Sequence, residues 1–170
     1  MIKALLFFNG EIYNHESLKD ELGHIEFKGH SDTETIVNYF RTRSLSENLS
    51  NLNGIFAFAY LDKEKKQISL ARDRFGIKPL YYYCDGDRMM FSSEIRPLVK
   101  CLNPKVDEGM LMSSLKMRYI PSPFSPYESI LKVEPGQLIT FNIEQKSILV
   151  TKEYYTKSVN IGGRIDEENK

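Results

Sequence analysis

Tryptophan is absent from this chain, cysteine occurs only twice and histidine three times. The two cysteines, Cys84 and Cys101, form no CxxC or other zinc spacing. With no export signal they read as two reduced, partly buried thiols rather than a disulfide. His15, His24 and His30 match no common metal motif and read as surface or turn residues, so no metal site is expected. An excess of one charge is also missing: 23 Lys plus Arg balance 23 Asp plus Glu, so no net field favours nucleic acid or an anionic membrane. No apolar run approaches the roughly 18 residues that span a bilayer. The opening Met1-Ile2-Lys3-Ala4-Leu5-Leu6-Phe7-Phe8 carries one basic residue and no small-residue cleavage site, so a strand is expected there and not a signal peptide. A cytoplasmic location follows as the expectation.

What is present is enough for one globular domain. A chain of 170 residues with 41% hydrophobic and 27% charged residues can bury a sizeable core. Lys3 to Phe8 reads as a strand buried on both faces, ended by Asn9-Gly10. His15 to Leu22 suits a short helix with Leu18 and Leu22 on one face. Ser31 or Asp32 is placed to cap a helix through Phe40, with Glu34 completing a capping box and Ile36, Val37 and Phe40 on its apolar face. Leu45 to Leu52 reads as a helical turn. Gly54 to Leu61 is apolar on both faces, Asp62 to Lys66 is a charged turn, and Gln67 to Ala71 returns. Leu80–Cys84 and Arg88–Phe91 flank Asp85-Gly86-Asp87, a hairpin signal. Ile95–Leu102 and Glu108–Tyr119 read as helices, Pro121 to Pro126 as an irregular loop, and Gly136–Asn142 with Ser147–Thr151 as a final hairpin. Strands grouped between helices argue for a layered α/β (α+β) domain with antiparallel pairing.

Three short stretches are candidates for chemistry. Asn9-Gly10 after a strand is by itself a turn signal. The same pair also offers a backbone N–H and a side-chain amide that can point at a developing oxyanion. Asp32 is by itself a helix N-terminal acid favoured by the dipole. It is also a carboxylate able to pair with an α-ammonium, which an amino-acid pocket needs because an unpaired buried ammonium is costly. Arg72-Asp73-Arg74 could be a charged turn between strands.

Taken in order, Phe8-Asn9-Gly10-Glu11-Ile12-Tyr13-Asn14, Ser31-Asp32-Thr33-Glu34 and Ala71-Arg72-Asp73-Arg74-Phe75-Gly76-Ile77-Lys78-Pro79-Leu80-Tyr81 resemble the glutamine-hydrolysing domain of asparagine synthetases, a class II glutamine amidotransferase. Phe91-Ser92-Ser93-Glu94-Ile95, Tyr119-Ile120-Pro121-Ser122-Pro123, Ile130 to Gly136 and Tyr154-Tyr155 extend the likeness from about Leu5 to about Tyr155. The resemblance implies the four-layer αββα sandwich of N-terminal nucleophile hydrolases, here lacking its first strands. It also implies an oxyanion hole at Asn9 and Gly10, and a glutamine pocket formed by Asn9, Gly10, Glu11 and Asp32.

That family attacks glutamine with a cysteine beside a free α-amino group. Here the second residue is Ile2 and no cysteine precedes Cys84. Cys84, inside an expected strand, and Cys101, at a helix end, lack a terminal amine and are poor substitutes. The synthetase half, which by resemblance uses ATP and magnesium, has no counterpart here: Gly162-Gly163-Arg164 is no pyrophosphatase loop, and there is no Walker A motif. The expected organisation is a partial amidotransferase domain over 1–157, then a linker over 158–170 toward a missing synthetase domain in cis or trans. Glutamine is the expected ligand and a homodimer is possible. The expected activity of the whole protein is hydrolysis of glutamine to supply ammonia for the amidation of aspartate, with this chain inactive alone. Two other readings stay open: a non-catalytic remnant serving as an interaction or regulatory module, and a related transferase amidating a sugar or peptide. Exposed sheet surface, and hence self-association, is also expected.

Overall fold

The computed structural model describes residues 3–23 and 25–155. His24 and the stretch 156–170, including the linker expected at 158–170, lie outside the described residues.

Strand β1 (Ala4–Ile12) leads into helix α1 (His15–Asp20), helix α2 (Asp32–Thr42) and a short helix α3 (Leu45–Asn48) that tightens into a 3-10 turn (Leu49–Asn51). Strands β2 (Gly54–Asp62), β3 (Gln67–Arg72), β4 (Tyr81–Cys84) and β5 (Met89–Ser92) follow, then helices α4 (Ile95–Leu102) and α5 (Glu108–Met117). The described chain closes with β6 (Leu131–Lys132), β7 (Gln137–Asn142) and β8 (Ser147–Glu153). Five strands form an antiparallel sheet in the order β1-β2-β3-β7-β8, and three form a second in the order β5-β4-β6.

The period-two alternation of β2 explains the layering. Phe56, Phe58 and Tyr60 point to one face, where they meet Leu18, Leu22, Ile36, Tyr39 and Phe40 of the α1–α2 region. Ala57 and Ala59 point to the other, where with Leu70 and Ile139 they meet Leu80, Tyr82, Val133 and Phe91. Large side chains thus fill the space between sheet and helices. Two alanines let the second sheet approach closely. Phe56 and Phe58 are almost completely buried, and truncating either to alanine would cost about 3–5 kcal/mol. Helix α4 lies against β4 and β5. The succession of α1 and α2, five-stranded sheet, three-stranded sheet and α4 is the expected αββα sandwich.

Two local expectations are corrected. Asn9-Gly10 does not end β1. The strand runs on to Ile12, with Asn9 opposite Ala57 and Gly10 opposite Phe56. Nor is β1 buried on both faces: it stands at the end of the sheet order, and Phe7 is 55% exposed. Glu34 does not close a capping box. Ser31 caps α2 by accepting from Glu34 N at 3.2 Å, but the Glu34 carboxylate turns the other way and accepts from Lys28 N and Gly29 N, both at 2.8 Å. The carboxylate thus ties the preceding loop to the first turn of α2 instead of reaching back to the Ser31 amide.

Candidate functional site

The site forms where β1 meets β2 and the start of α2. At Gly10 the backbone adopts φ +148°, and a Cβ there would sit 2.1 Å from the Ile55 carbonyl oxygen and 2.6 Å from Phe56 Cα. Gly54 is the reciprocal case, since its Cβ would sit 2.2 Å from the Glu11 carbonyl oxygen. Two strands approach here more closely than any residue with a side chain permits, which is the physical reason for glycine at both places.

Asp32 ties the helix start to the strand end. Its Oδ2 accepts from Ile12 N at 3.1 Å, and its Oδ1 accepts from Thr33 N at 2.6 Å and from Thr33 Oγ1 at 3.2 Å. The structure therefore brings Asp32 to the residue that follows Glu11. A carboxylate offers roughly four lone-pair sites. Three of those of Asp32 are engaged, at the N-terminus of α2. Asp32 and Asn9 are half-buried and Glu11 is exposed.

Asn9 borders a groove of about 270 Å³ between the two sheets, lined also by Phe7, Ala57, Leu80, Phe91 and Ser92. Phe7 and Phe91 meet edge to face across it, their ring centroids 5.5 Å apart. A larger cavity of about 500 Å³ lies beside Lys3, Arg41 and Tyr60, but none of the four candidate residues lines it. Of the four, Asn9 alone lines the smaller groove. Of the two thiols, Cys84 is half-buried in β4 and Cys101 is exposed near the end of α4, and neither borders that groove. Among the described residues no group of three or more His, Cys, Asp and Glu side chains could hold a metal ion.

The Arg72-Asp73-Arg74 stretch, read as a possible charged turn, is a clamp. Asp73 is fully buried. Its Oδ1 accepts from Phe75 N and Ile77 N, each at 3.0 Å, and its Oδ2 from Lys78 N at 2.9 Å. Arg72 donates to the carbonyls of Lys78, Gly76 and Val133, each at 2.7 Å. Burial draws the Arg72 guanidinium below its ordinary pKa, and Asp73 beside it opposes that shift. Arg74 donates to Ser50 O at 2.7 Å and stacks on Tyr155. Asn14 bridges the same neighbourhood, donating to Asn51 O and accepting from Asn53 N, both at 2.9 Å. These contacts fix the segment that leads into Gly54. Sequence reasoning missed Asn14 as a structural residue. Its position directly after Asn9 to Tyr13 was the available signal.

Residues 2–155 match the family described as "Glutamine amidotransferase domain". The chain belongs to that family. The amidotransferase domain is 34% identical over 155 residues to the putative glutamine-hydrolyzing asparagine synthetase 2 of Methanocaldococcus jannaschii, an alignment covering 89% of this chain and 29% of that protein. It is 36% identical to glutamine-hydrolyzing asparagine synthetase 1 of Bacillus subtilis, over 88% of this chain and 24% of that protein. The domain thus spans less than a third of these relatives' length. Among solved structures, the glutamine phosphoribosylpyrophosphate amidotransferase of B. subtilis superposes with a TM-score of 0.62 at 22% identity, covering 91% of this chain and 30% of that one. That likeness is one of fold. Along most of its length the amidotransferase domain is more similar in sequence to the synthetases.

Proposed function

We propose that this chain is the glutamine-recognising part of an asparagine synthetase-like ligase, with Asn9, Gly10, Glu11 and Asp32 forming the glutamine site. The observation that carries the reading is the junction of β1 and α2: Asp32, with acceptor capacity to spare, is hydrogen-bonded to Ile12 at the end of the strand that carries Asn9 and Gly10, and Asn9 borders an open groove. Asp32 receives the α-ammonium of glutamine. The Gly10 N–H and the Asn9 side-chain amide face the oxygen that becomes negative when the amide carbonyl is attacked. Glu11 borders the pocket at the exposed end.

Attack itself needs a thiolate beside a base. Neither Cys84 nor Cys101 borders the groove, so the nucleophile is assigned to a residue outside this sequence. In the complete protein, ammonia released here would pass to a synthetase domain, in cis or in trans, that amidates aspartate with ATP in the cytoplasm. We assign the ATP- and magnesium-dependent step to that other domain.

Calorimetric titration with L-glutamine and with glutaramate, which lacks the α-amino group, tests this reading. Glutamine should bind in the millimolar range, about −4 kcal/mol. Glutaramate should bind at least roughly tenfold more weakly, a difference of about 1.4 kcal/mol. Equal binding of the two would remove Asp32 from the site. Ammonia release abolished by Cys84→Ser would overturn the assignment of the nucleophile.

A further inference from the structure

Asn-Gly occurs at both strands of the β1–β2 pairing: Asn9-Gly10 inside β1, and Asn53-Gly54 at the entry to β2. Asparagine before glycine carries a chemistry of its own, because no Cβ shields the glycine nitrogen. At the second dipeptide a bond would form from Gly54 N to Asn53 Cγ while the Cγ–Nδ2 bond breaks. The proton lost from the Gly54 nitrogen leaves with Nδ2 as ammonia, and a succinimide ring remains. Water opens that ring at either carbonyl, giving aspartate or isoaspartate. In isoaspartate the main chain runs through the side-chain carbon and gains a methylene.

The fold treats the two dipeptides differently. Asn9 is half-buried in mid-strand, opposite Ala57, with paired residues on either side. Asn53 is exposed and precedes the first paired residue of β2, and among the described residues its side chain makes no hydrogen bond. Ile12 N donates to Asp32 and not across to Gly54, which marks Ile12 and Gly54 as a non-hydrogen-bonded pair. The Gly54 N–H therefore points away from β1, and the pairing of β2 with β3 starts only at Ala57. Two bonds hold Asn53: its carbonyl accepts from Tyr13 N at 2.8 Å, and its N–H donates to Asn14 Oδ1 at 2.9 Å. Releasing them frays a strand end, whereas releasing Asn9 breaks β1 in its middle. We propose that Asn53 is a modification site, which deamidates through Gly54 while the sheet protects Asn9.

Isoaspartate at position 53 has a consequence that aspartate lacks. The added methylene shifts Gly54 against Ile12, where even a Cβ would sit 2.2 Å from the Glu11 carbonyl oxygen. The Tyr13 and Asn14 bonds to position 53 are lost with the register, and the strand end that Asp32 grips loosens. With glutamine held as proposed by Asn9, Gly10, Glu11 and Asp32, its binding weakens too; that consequence rests on the glutamine reading, and the chemistry at Asn53 does not.

Peptide mapping with electron-transfer fragmentation, which separates isoaspartate from aspartate, tests the proposal on the chain of 170 residues held at mildly alkaline pH. In the native chain Asn53 should convert at least roughly tenfold faster than Asn9. In urea, where no sheet protects either residue, the two should convert at like rates. Asn53→Gln, whose longer side chain closes a ring far more slowly, should keep the parent's circular dichroism and stop the native conversion at that position. In the isoaspartate fraction the Tyr13 amide should exchange faster than in the parent, followed by NMR. Native conversion at Asn9 as fast as at Asn53, or an Asn53 that stays an amide in the native chain while it converts in urea, would overturn the proposal. A Tyr13 amide as protected as the parent's would overturn the loosening of β1. An unmodified chain that fails to bind glutamine would sink the glutamine reading and leave the conversion rates as they are.

Discussion

Replacing Asp73 by asparagine probes the clamp that holds the loop between β3 and β4. The native carboxylate is fully buried and accepts from three backbone N–H groups, two on Oδ1 and one on Oδ2. Its backbone adds three more bonds: its N–H donates to Phe56 O, and its carbonyl accepts from Gly76 N and Gly136 N. Asparagine is nearly isosteric, so the backbone bonds survive. Its carbonyl oxygen keeps the Phe75 and Ile77 amides, now as neutral bonds weaker by about 1 kcal/mol each. Its NH₂ group then faces the Lys78 N–H, donor against donor, which orphans a buried amide at about 1–3 kcal/mol. Burying a neutral group in place of a charge returns part of this, and the net expectation is a loss of about 2–3 kcal/mol. For a domain of this length that lowers Tm by about 5–10 °C. Thermal unfolding followed by circular dichroism, with urea titration to confirm an unchanged slope, reads it directly. Asp85→Asn is the control. That carboxylate accepts from Tyr83 Oη and Arg88 but is solvent-exposed, and it should cost well under about 1 kcal/mol. If Asp73→Asn melts within about 2 °C of the parent, or no lower than Asp85→Asn, the clamp does not hold the loop.

Three further outcomes follow from the same contacts. Gly10→Ala places a Cβ 2.1 Å from a carbonyl oxygen at φ +148°, and backbone cannot rotate away. It should destabilise by more than Asp73→Asn and accelerate hydrogen exchange of the Phe56 amide, checked by exchange mass spectrometry. Asp32→Asn should unfold at lower urea by about 1–3 kcal/mol, because its amide meets the donating Ile12 or Thr33 N–H, and should also lose glutamine binding. Burial first, then the charge of Asp62, pushes the Tyr60 phenol up to about 12. The unfolded chain loses that proton near pH 10, so the folded state holds it through a window in which the unfolded state does not. Stability is therefore intact below about pH 10 and falls between pH 10 and 12. Tyr60→Phe should reduce that slope, leaving the part due to Tyr154, whose pKa burial also raises.

Element types were largely legible because local signals and tertiary packing agree. The apolar run Gly54 to Leu61 and the Ser31 cap followed by Ile36 and Phe40 appear as β2 and α2. The hairpin around Asp85-Gly86-Asp87 is present as drawn, with Asp85 accepting from Asp87 N and Arg88 N. The layer order was not legible from periodicity and came from the family resemblance. The strand β6 escaped notice because two residues carry no pattern. Asn9-Gly10 misled because the dipeptide that makes a turn in isolation also serves where two strands pass too close for a Cβ. At the candidate site, Asn9, Gly10, Glu11 and Asp32 were named from the motifs of the family resemblance. Those motifs did not reveal that Asp32 already braces Ile12, which only the fold brings near it.

The most direct test of the glutamine site is a titration of L-glutamine into the ¹⁵N-labelled chain, followed by amide chemical shifts. The account predicts saturable shifts at Gly10, Glu11, Ile12 and Thr33, with the Ser92 side of the groove next. Shifts gathered instead around Arg41 and Tyr60 at the larger cavity, or no saturable shifts at all, would contradict it.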